Sequence, residues 1–293
     1  MEILELNHED VLQILPDRDP WGHKGSFGKI LLLCGSRGFT GAAYLSAMGA
    51  LRSGAGLTFL GVPESIYAIE AMKLNEPVVF PLPDSGGMVG IQAVNEILER
   101  LPKMDAVLIG CGCGQSEELY ALLTACLTAP GCPLVLDADA LNTLAAHGEE
   151  GGALLAASPR PVVLTPHPLE FARLSGMSVA QVQEDRTAAA AELAARLHTT
   201  VVLKGAGTVV ACPDGSVSRN TSGCAALAKG GSGDVLAGCI TAFLAQGCRP
   251  EEAARIAVYL HGRAGETLAQ TRSLYGVLPS ELACAIAGEI AKL

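Results

Sequence analysis

Leu227 to Gly238 reads LAKGGSGDVLAG, a cluster of glycines that ends in an aspartate at the mouth of an apolar helix. Backbone amides freed by Gly230, Gly231 and Gly233 can converge on an anion, and the helix behind them adds the positive end of its dipole. Asp234 then stands where a carboxylate takes a proton from an attacking hydroxyl. The amides of Gly231, Ser232 and Gly233 would meanwhile stabilise the oxygens of a phosphoryl group in transfer. Taken alone, GxGD reads more readily as a turn and helix cap, because aspartate and glycine are favoured there. What favours the chemical reading is the rest of the chain.

Five further polar segments each follow an apolar run directly: GSRGFTGAA (35–43), GCGCG (110–114), DADALN (137–142), TPHPLE (165–170) and KGAGT (204–208). Lys204 is placed to meet negative charge, although a solvated lysine before a turn has the same spelling. The oxygens of Asp137, Asp139 and Asn142 suit magnesium or a ribose, or the capping of a following helix. GSRGFTG, with Glu64 after the next apolar run, imitates a dinucleotide-binding turn and its ribose-binding acid, which would make the protein an oxidoreductase. Its GxxGxxG spacing departs from GxGxxG. A Walker A loop is missing, so phosphoryl transfer here is of a type without a P-loop.

These segments need a scaffold, and the hydrophobic pattern supplies one. Apolar runs at 29–34, 57–62, 78–82, 106–110, 133–137, 161–165 and 200–205 predict strands. Helical spacing is clearest at 43–52, 91–100, 117–128 and 179–197. Alternation of the two predicts an α/β fold, a mostly parallel sheet with helices on both faces. TVVACPDGSVSRN (208–220) predicts a hairpin extending one sheet edge, and helices alone follow, at 234–246, 250–268 and about 279–292. No linker or repeat divides residues 1–293, which read as one domain with a helical lead-in over about 1–20. In such a sheet the strand-end loops gather on one edge, where the ligand crevice lies.

Composition narrows the partners. The chain has 293 residues, 49% of them hydrophobic, and a net charge of −10, which argues against nucleic acid and anionic membranes. A glycine nest can still hold a phosphate without net positive charge. The ten cysteines are scattered through apolar runs and read as small core residues. Cys111 and Cys113 form a CxC with no second pair at zinc-finger spacing, so no structural zinc site is expected. The acidic start of the chain lacks the basic and long apolar regions of a signal peptide, and no segment forms an uninterrupted membrane span, which suggests a cytoplasmic protein. His8, His23, His147, His198 and His261 carry no motif.

HKGSFGKILLLCGSRGFTGAAYLSAMGALRSGAGL, VLDADALN, VLTPHPLEF and LAKGGSGDVLAG, in this order, resemble the ADP-dependent NAD(P)H-hydrate dehydratases of the ribokinase-like superfamily, from about Trp21 to the C-terminus. The resemblance implies a three-layer ribokinase-like sandwich. It also implies a carbon–oxygen lyase of nicotinamide nucleotide repair that acts on the S forms of NADH hydrate and NADPH hydrate. Members phosphorylate the ring hydroxyl with a nucleotide donor and Mg2+, then eliminate phosphate. ADP is the expected donor here, with ATP the other candidate.

Carried over residue by residue, Asp234 becomes the base and Gly231, Ser232 and Gly233 the anion hole. Lys204, Gly205, Ala206, Gly207 and Thr208, with Gly233, would hold the nucleotide. Ala42, Ala43, Gly112 and His167, with Asp234, would meet the hydrated substrate, and Glu170 would orient magnesium-bound water. Cys224 and Ala225 stand where the family usually has Asn and Pro, and Leu169 where it often has glycine; these changes bear on affinity rather than on the reaction. The resemblance further implies a separate hydrate epimerase, since there is no room for one before Trp21, and a homotetramer. Two other readings stand beside it: a vitamin-precursor alcohol kinase of the same superfamily, and a non-enzymatic nucleotide sensor.

Overall fold

The structure, a computed structural model, describes residues 3–293. In chain order its elements are β1 (Ile3–Leu6), α1 (His8–Ile14), β2 (Lys29–Leu33), α2 (Thr40–Arg52), β3 (Leu57–Pro63), α3 (Glu64–Lys73), β4 (Val78–Leu82), β5 (Asp84–Ser85), β6 (Met88–Val89), α4 (Ala93–Arg100), β7 (Ala106–Ile109), α5 (Glu117–Thr128), β8 (Leu134–Leu136), α6 (Asp139–Ala146), α7 (Gly148–Ala156), β9 (Val162–Leu164), α8 (Pro168–Ser175), α9 (Val179–Glu184), α10 (Arg186–Leu197), β10 (Thr200–Leu203), β11 (Val209–Ala211), β12 (Val217–Asn220), α11 (Ser232–Ala245), α12 (Pro250–Gly276) and α13 (Pro279–Ile290). Among the described residues no helix is long and apolar enough to cross a membrane.

The main sheet has ten strands in the order β1-β12-β11-β10-β9-β8-β7-β2-β3-β4, while β5 and β6 form a small ribbon of their own. Only β11 runs against its neighbours; the other pairings are parallel. The central runs form strands because successive residues enter different helix layers. Ile30, Leu32, Leu108, Val135, Val163 and Val202 pack with residues of α2, α11, α12 and α13. Their neighbours Leu31, Leu33, Ile109, Leu136, Leu164 and Leu203 pack with residues of α4, α5, α6, α8 and α10. A strand buried on both faces has no polar side to show, hence the unbroken apolar spelling.

From β2 the chain moves outward through β3 to β4, then returns to β7 on the other side of β2. The loops leaving β2 and β7 therefore part company, which opens a crevice at that switch point. Over it lies α11, which packs on β2, β7 and β8 and most extensively on α2. A side chain at Gly238 would collide with the Ser46 carbonyl oxygen of α2, so the two helix backbones meet directly. That approach fixes where the first turn of α11 sits.

Several expectations need correction. The lead-in opens on a strand, not a helix: Ile3–Leu6 pairs with Val217–Asn220, so the β11–β12 hairpin exists but β1 forms the edge. Unpaired β12 backbone offered a ladder that outweighed local propensity. The helix expected over 179–197 is two helices, broken at Asp185, whose carboxylate accepts the amide hydrogens of Thr187 and Ala188 and so starts α10. The helix expected to end near 268 continues to Gly276, with Ser273 out of helical geometry. Helices α3, α6, α7 and α8 fill segments that showed no clear periodicity.

Candidate functional site

Strand register places the predicted loops side by side. Gly35 donates its N–H to the Cys111 carbonyl (2.8 Å), and Asp137 donates to Ile109 (3.2 Å). Thr165 donates to Leu136 (3.1 Å), and Lys204 to Pro166 (2.9 Å). The five segments 35–43, 110–114, 137–142, 165–170 and 204–208 thus leave adjacent strands at one edge, and α11 brings the sixth to them.

At their meeting point the chemistry is dense. Lys204 Nζ donates to Asp137 Oδ1 at 2.7 Å, with Asp137 almost wholly buried. Cys111 Sγ lies 3.7 Å from Asp137 Oδ2, and Cys111, Asp137 and Asp234 each offer a ligand atom within 4.8 Å of the others. Burial and then the charge of Asp137 push the Asp234 carboxyl up to about 6, against the opposing pull of Lys204 and the Cys111 thiol. A carboxylate tuned there is basic enough to accept a hydroxyl proton and is still ionised at neutral pH. Burial pulls the Lys204 ammonium down, yet Asp137 and Glu170 together carry it above its ordinary value, so it stays a cation.

Gly231 starts α11 in the left-handed region, φ 101°, a conformation that turns the chain sharply into the helix. Ser232, Gly233 and Asp234 follow as its first three residues; the Ser232 amide donates to the Lys229 carbonyl (3.2 Å), while those of Gly233 and Asp234 have no partner within the helix. A Cβ at Gly233 would stand 3.1 Å from Lys204 Nζ, so the ammonium lies against this turn. A side chain at Gly231 would also come within 2.6 Å of Leu45 Cδ1. Gly231→Ala is therefore expected to lower stability by about 1 to 3 kcal/mol, measured by denaturant unfolding.

His261, which no motif flagged, is buried on α12 directly behind this turn, and its Nε2 donates to the Ser232 carbonyl at 3.0 Å. Burial brings its pKa down to about 4, so the ring is neutral. The Ser232 carbonyl and the Gly233 N–H belong to one planar trans peptide and point in opposite directions. Holding the first aims the second.

The KGAGT loop is held from outside by another residue the sequence did not single out. Arg186, the first residue of α10, donates to the carbonyls of Leu203 (2.9 Å), Lys204 (3.1 Å) and Ala206. Gly205 and Ala206 are exposed, with Gly207 and Thr208 half-buried, and the Thr208 hydroxyl closes the turn on the Gly205 carbonyl at 3.0 Å. Lys229 points away from the centre, donating to the carbonyls of Tyr275 and Val277.

His167 caps α8. Its Nδ1 accepts the amide hydrogens of Leu169 and Glu170 (3.2 Å each), and its Nε2 lies 3.2 Å from Glu170 Oε1. Glu170 returns the favour by accepting from His167 N–H at 2.8 Å. Both ring nitrogens are therefore committed to the cap, and the ring meets a ligand only by its edge or face. Glu170 is buried, and desolvation raises its carboxyl despite the field of Lys204. Asp139 accepts the Gly114 N–H at 2.8 Å, tying the second loop to the third. Gly112 packs on Ala42 at the start of α2. Ala43 is wholly buried under Gly35, so it shapes the crevice from beneath. Cys224 precedes a short turn, 225–227, and Leu169 is half exposed.

Residues 30–287 match the family described as NAD(P)H-hydrate dehydratase. The chain is 39% identical over 274 residues to the ADP-dependent (S)-NAD(P)H-hydrate dehydratase of Bacillus subtilis, covering 94% of this chain and 93% of that one. A crystal structure of the ADP/ATP-dependent NAD(P)H-hydrate dehydratase from Bacillus subtilis, co-crystallised with ATP/Mg2+, superposes with a TM-score of 0.85 at 35% identity, covering 100% of this chain and 99% of that chain. A ribokinase-like superfamily protein from Enterococcus faecalis superposes at 0.83 with 29% identity over 99% and 96% of the two chains, in keeping with the expected fold class. The chain spans about half the length of the curated bifunctional NAD(P)H-hydrate repair enzymes that it also matches. On the extent of these matches, and with its loops gathered at one sheet edge around Asp234, the chain belongs to the NAD(P)H-hydrate dehydratase family.

Proposed function

We propose that this protein uses an adenine nucleotide to dehydrate the S epimer of NADH hydrate or NADPH hydrate, restoring the reduced cofactor. The observation that carries the reading is the convergence of a tuned carboxylate, Asp234, with the amide-lined turn of α11 and the Lys204 ammonium. In this scheme Asp234 accepts the proton of the ring hydroxyl as its oxygen attacks the terminal phosphorus, and the bond from phosphorus to the donor's bridging oxygen breaks. The amides of Gly231, Ser232 and Gly233 receive the phosphoryl oxygens. The ring carbon–oxygen bond then breaks, phosphate leaves with the substrate oxygen, and loss of a ring proton restores the double bond. Lys204 to Thr208, with Gly233, hold the nucleotide, and Arg186 keeps that loop in shape. Ala42, Ala43 and Gly112 leave room for the nicotinamide nucleotide, and the His167 ring borders it.

Mg2+ fits the centre, because Asp137 keeps an oxygen, Oδ2, that Lys204 does not engage. Bound with the nucleotide, it would neutralise charge on the phosphates. Both Glu170 oxygens already face His167, so this residue acts through water rather than as a direct ligand. A cytoplasmic homotetramer working beside a hydrate epimerase completes the proposal. Support comes from ten free cysteines, from the exposed Leu274, Tyr275 and Leu278 as apolar contact surface, and from the bifunctional relatives.

The test is the near-ultraviolet absorbance of reduced nicotinamide after mixing protein with NADH hydrate and magnesium, with ADP, ATP or no nucleotide. A nucleotide-dependent rise is expected. No rise with either donor, given the correct epimer, would end this reading in favour of an alcohol kinase that leaves a stable phosphate ester.

His261 serves this scheme as a positioning residue. His261→Phe is expected to lower kcat about tenfold, some 1.4 kcal/mol, with the KM for nucleotide nearly unchanged. His261→Gln, which restores a neutral N–H donor, should recover most of the rate.

A further inference from the structure

The proposed reaction makes no use of the thiol at its centre. Cys111 Sγ shares a space of 4.8 Å with an oxygen each of Asp137 and Asp234, and lies 3.7 Å from Asp137 Oδ2. The three residues come from the loops after β7 and β8 and from the first turn of α11, so no sequence spacing announces them. Lys204 engages the other oxygen of Asp137, Oδ1, which leaves Oδ2 turned toward the thiol. Two carboxylates and a thiol therefore face one another, with the Lys204 ammonium bonded to one of them, Asp137. Such a set gains from a second cation.

The donor types say which cation. Magnesium takes six oxygens and sheds water reluctantly, and a thiolate is no ligand for it. Zinc takes cysteine sulfur and aspartate oxygen together, and three protein ligands leave a fourth tetrahedral position for water or a phosphate oxygen. Charge closes as well. On binding, the Cys111 thiol gives its proton to solvent, so thiolate, Asp137 and Asp234 carry three negative charges against three positive ones from the cation and Lys204.

We propose that Cys111, Asp137 and Asp234 form a binding site for zinc or a similarly thiophilic divalent cation, and that its occupation inhibits the enzyme by engaging the Asp234 carboxylate. The binding stands on geometry alone; the inhibition rests on the function proposed above.

Cobalt(II) titrated into the full-length protein is the probe, read by its thiolate-to-cobalt charge-transfer band. The band is expected in the wild type, displaced by added zinc. It should vanish in Cys111→Ser and Cys111→Ala and persist in Cys284→Ala, which removes the exposed thiol. Thermal melting checks that the two Cys111 variants fold. A band that survives in both folded Cys111 variants, or is lost in Cys284→Ala, overturns the site. Zinc should also inhibit wild-type turnover reversibly by chelator. In Cys111→Ala the inhibiting concentration should rise at least about a hundredfold, beyond the scale reached by removing outer partners of a metal. Equal inhibition of wild type and variant overturns the proposal. A cobalt band in a protein without turnover would leave the site standing and overturn the functional reading instead.

Discussion

Replacing Asp234 with Asn is expected to cut kcat by about 10² to 10⁴-fold while leaving nucleotide affinity nearly intact, because the variant keeps every amide of the turn and loses only the proposed base. Equilibrium binding of ADP or ATP beside steady-state kinetics separates the two effects; wild-type turnover in the variant would remove Asp234 from its role. The wild-type kcat/KM should rise with pH through about 6, as the carboxylate of the free enzyme ionises. The same substitution should stabilise the fold. With its pKa raised from 3.8 to about 6, the folded chain retains a proton that the unfolded chain has already released. The stability this group contributes is therefore full below about pH 3.8 and lost as pH rises through about 6. By neutral pH that cost is about 2 to 3 kcal/mol, and Asn does not incur it. Denaturant unfolding at pH 7 against pH 4 should show the variant's advantage shrinking in acid. A dead enzyme that melts higher than the active one is the expected signature.

Lys204→Met carries the second large effect. It leaves Asp137, almost wholly buried, without its cation, and breaking such a pair costs about 3 to 5 kcal/mol. Asp137→Asn strands the lysine in turn. Because the two act as a pair, the double variant should be less damaged than the sum of the singles by about 1 to 3 kcal/mol, measured by urea unfolding. Strict additivity would mean that the pair is not the unit it looks. Nucleotide affinity should fall in Lys204→Met as well, since the ammonium lies against the turn proposed to receive the phosphates.

The apolar runs from Lys29 to Leu203 were legible as strands because strands covered on both faces must be apolar throughout, and length then separates them from helices. Ile3–Leu6 was not, since its pairing with β12 depends on chain more than two hundred residues away. Helix α8 escaped notice because a histidine, with a reciprocal glutamate, does the capping usually given to Ser, Thr or Asp. Helix α6 begins after Ala138 at φ 50°, where sequence favours glycine or asparagine.

The same division runs through the site. Each loop could be read where it stands, because glycine and charged residues at strand ends spell their own turns. Which loops meet is set by strand order and helix packing. The pairing of Lys204 with Asp137 spans 67 residues, and His261 reaches Ser232 across 29. Histidine on an apolar helix face reads as core until the carbonyl it holds is seen to belong to the first turn of α11.

In the proposed reaction the substrate hydroxyl attacks phosphorus beside Asp234. Heavy oxygen placed in the ring hydroxyl of NADH hydrate follows that atom. Released phosphate should carry the label, one atom for each reduced nicotinamide formed, because the carbon–oxygen bond breaks after the oxygen has joined phosphorus. Label found in water, with unlabelled phosphate, would mean that the hydroxyl leaves without ever being phosphorylated, and the role given to Asp234 and its turn would fall with it.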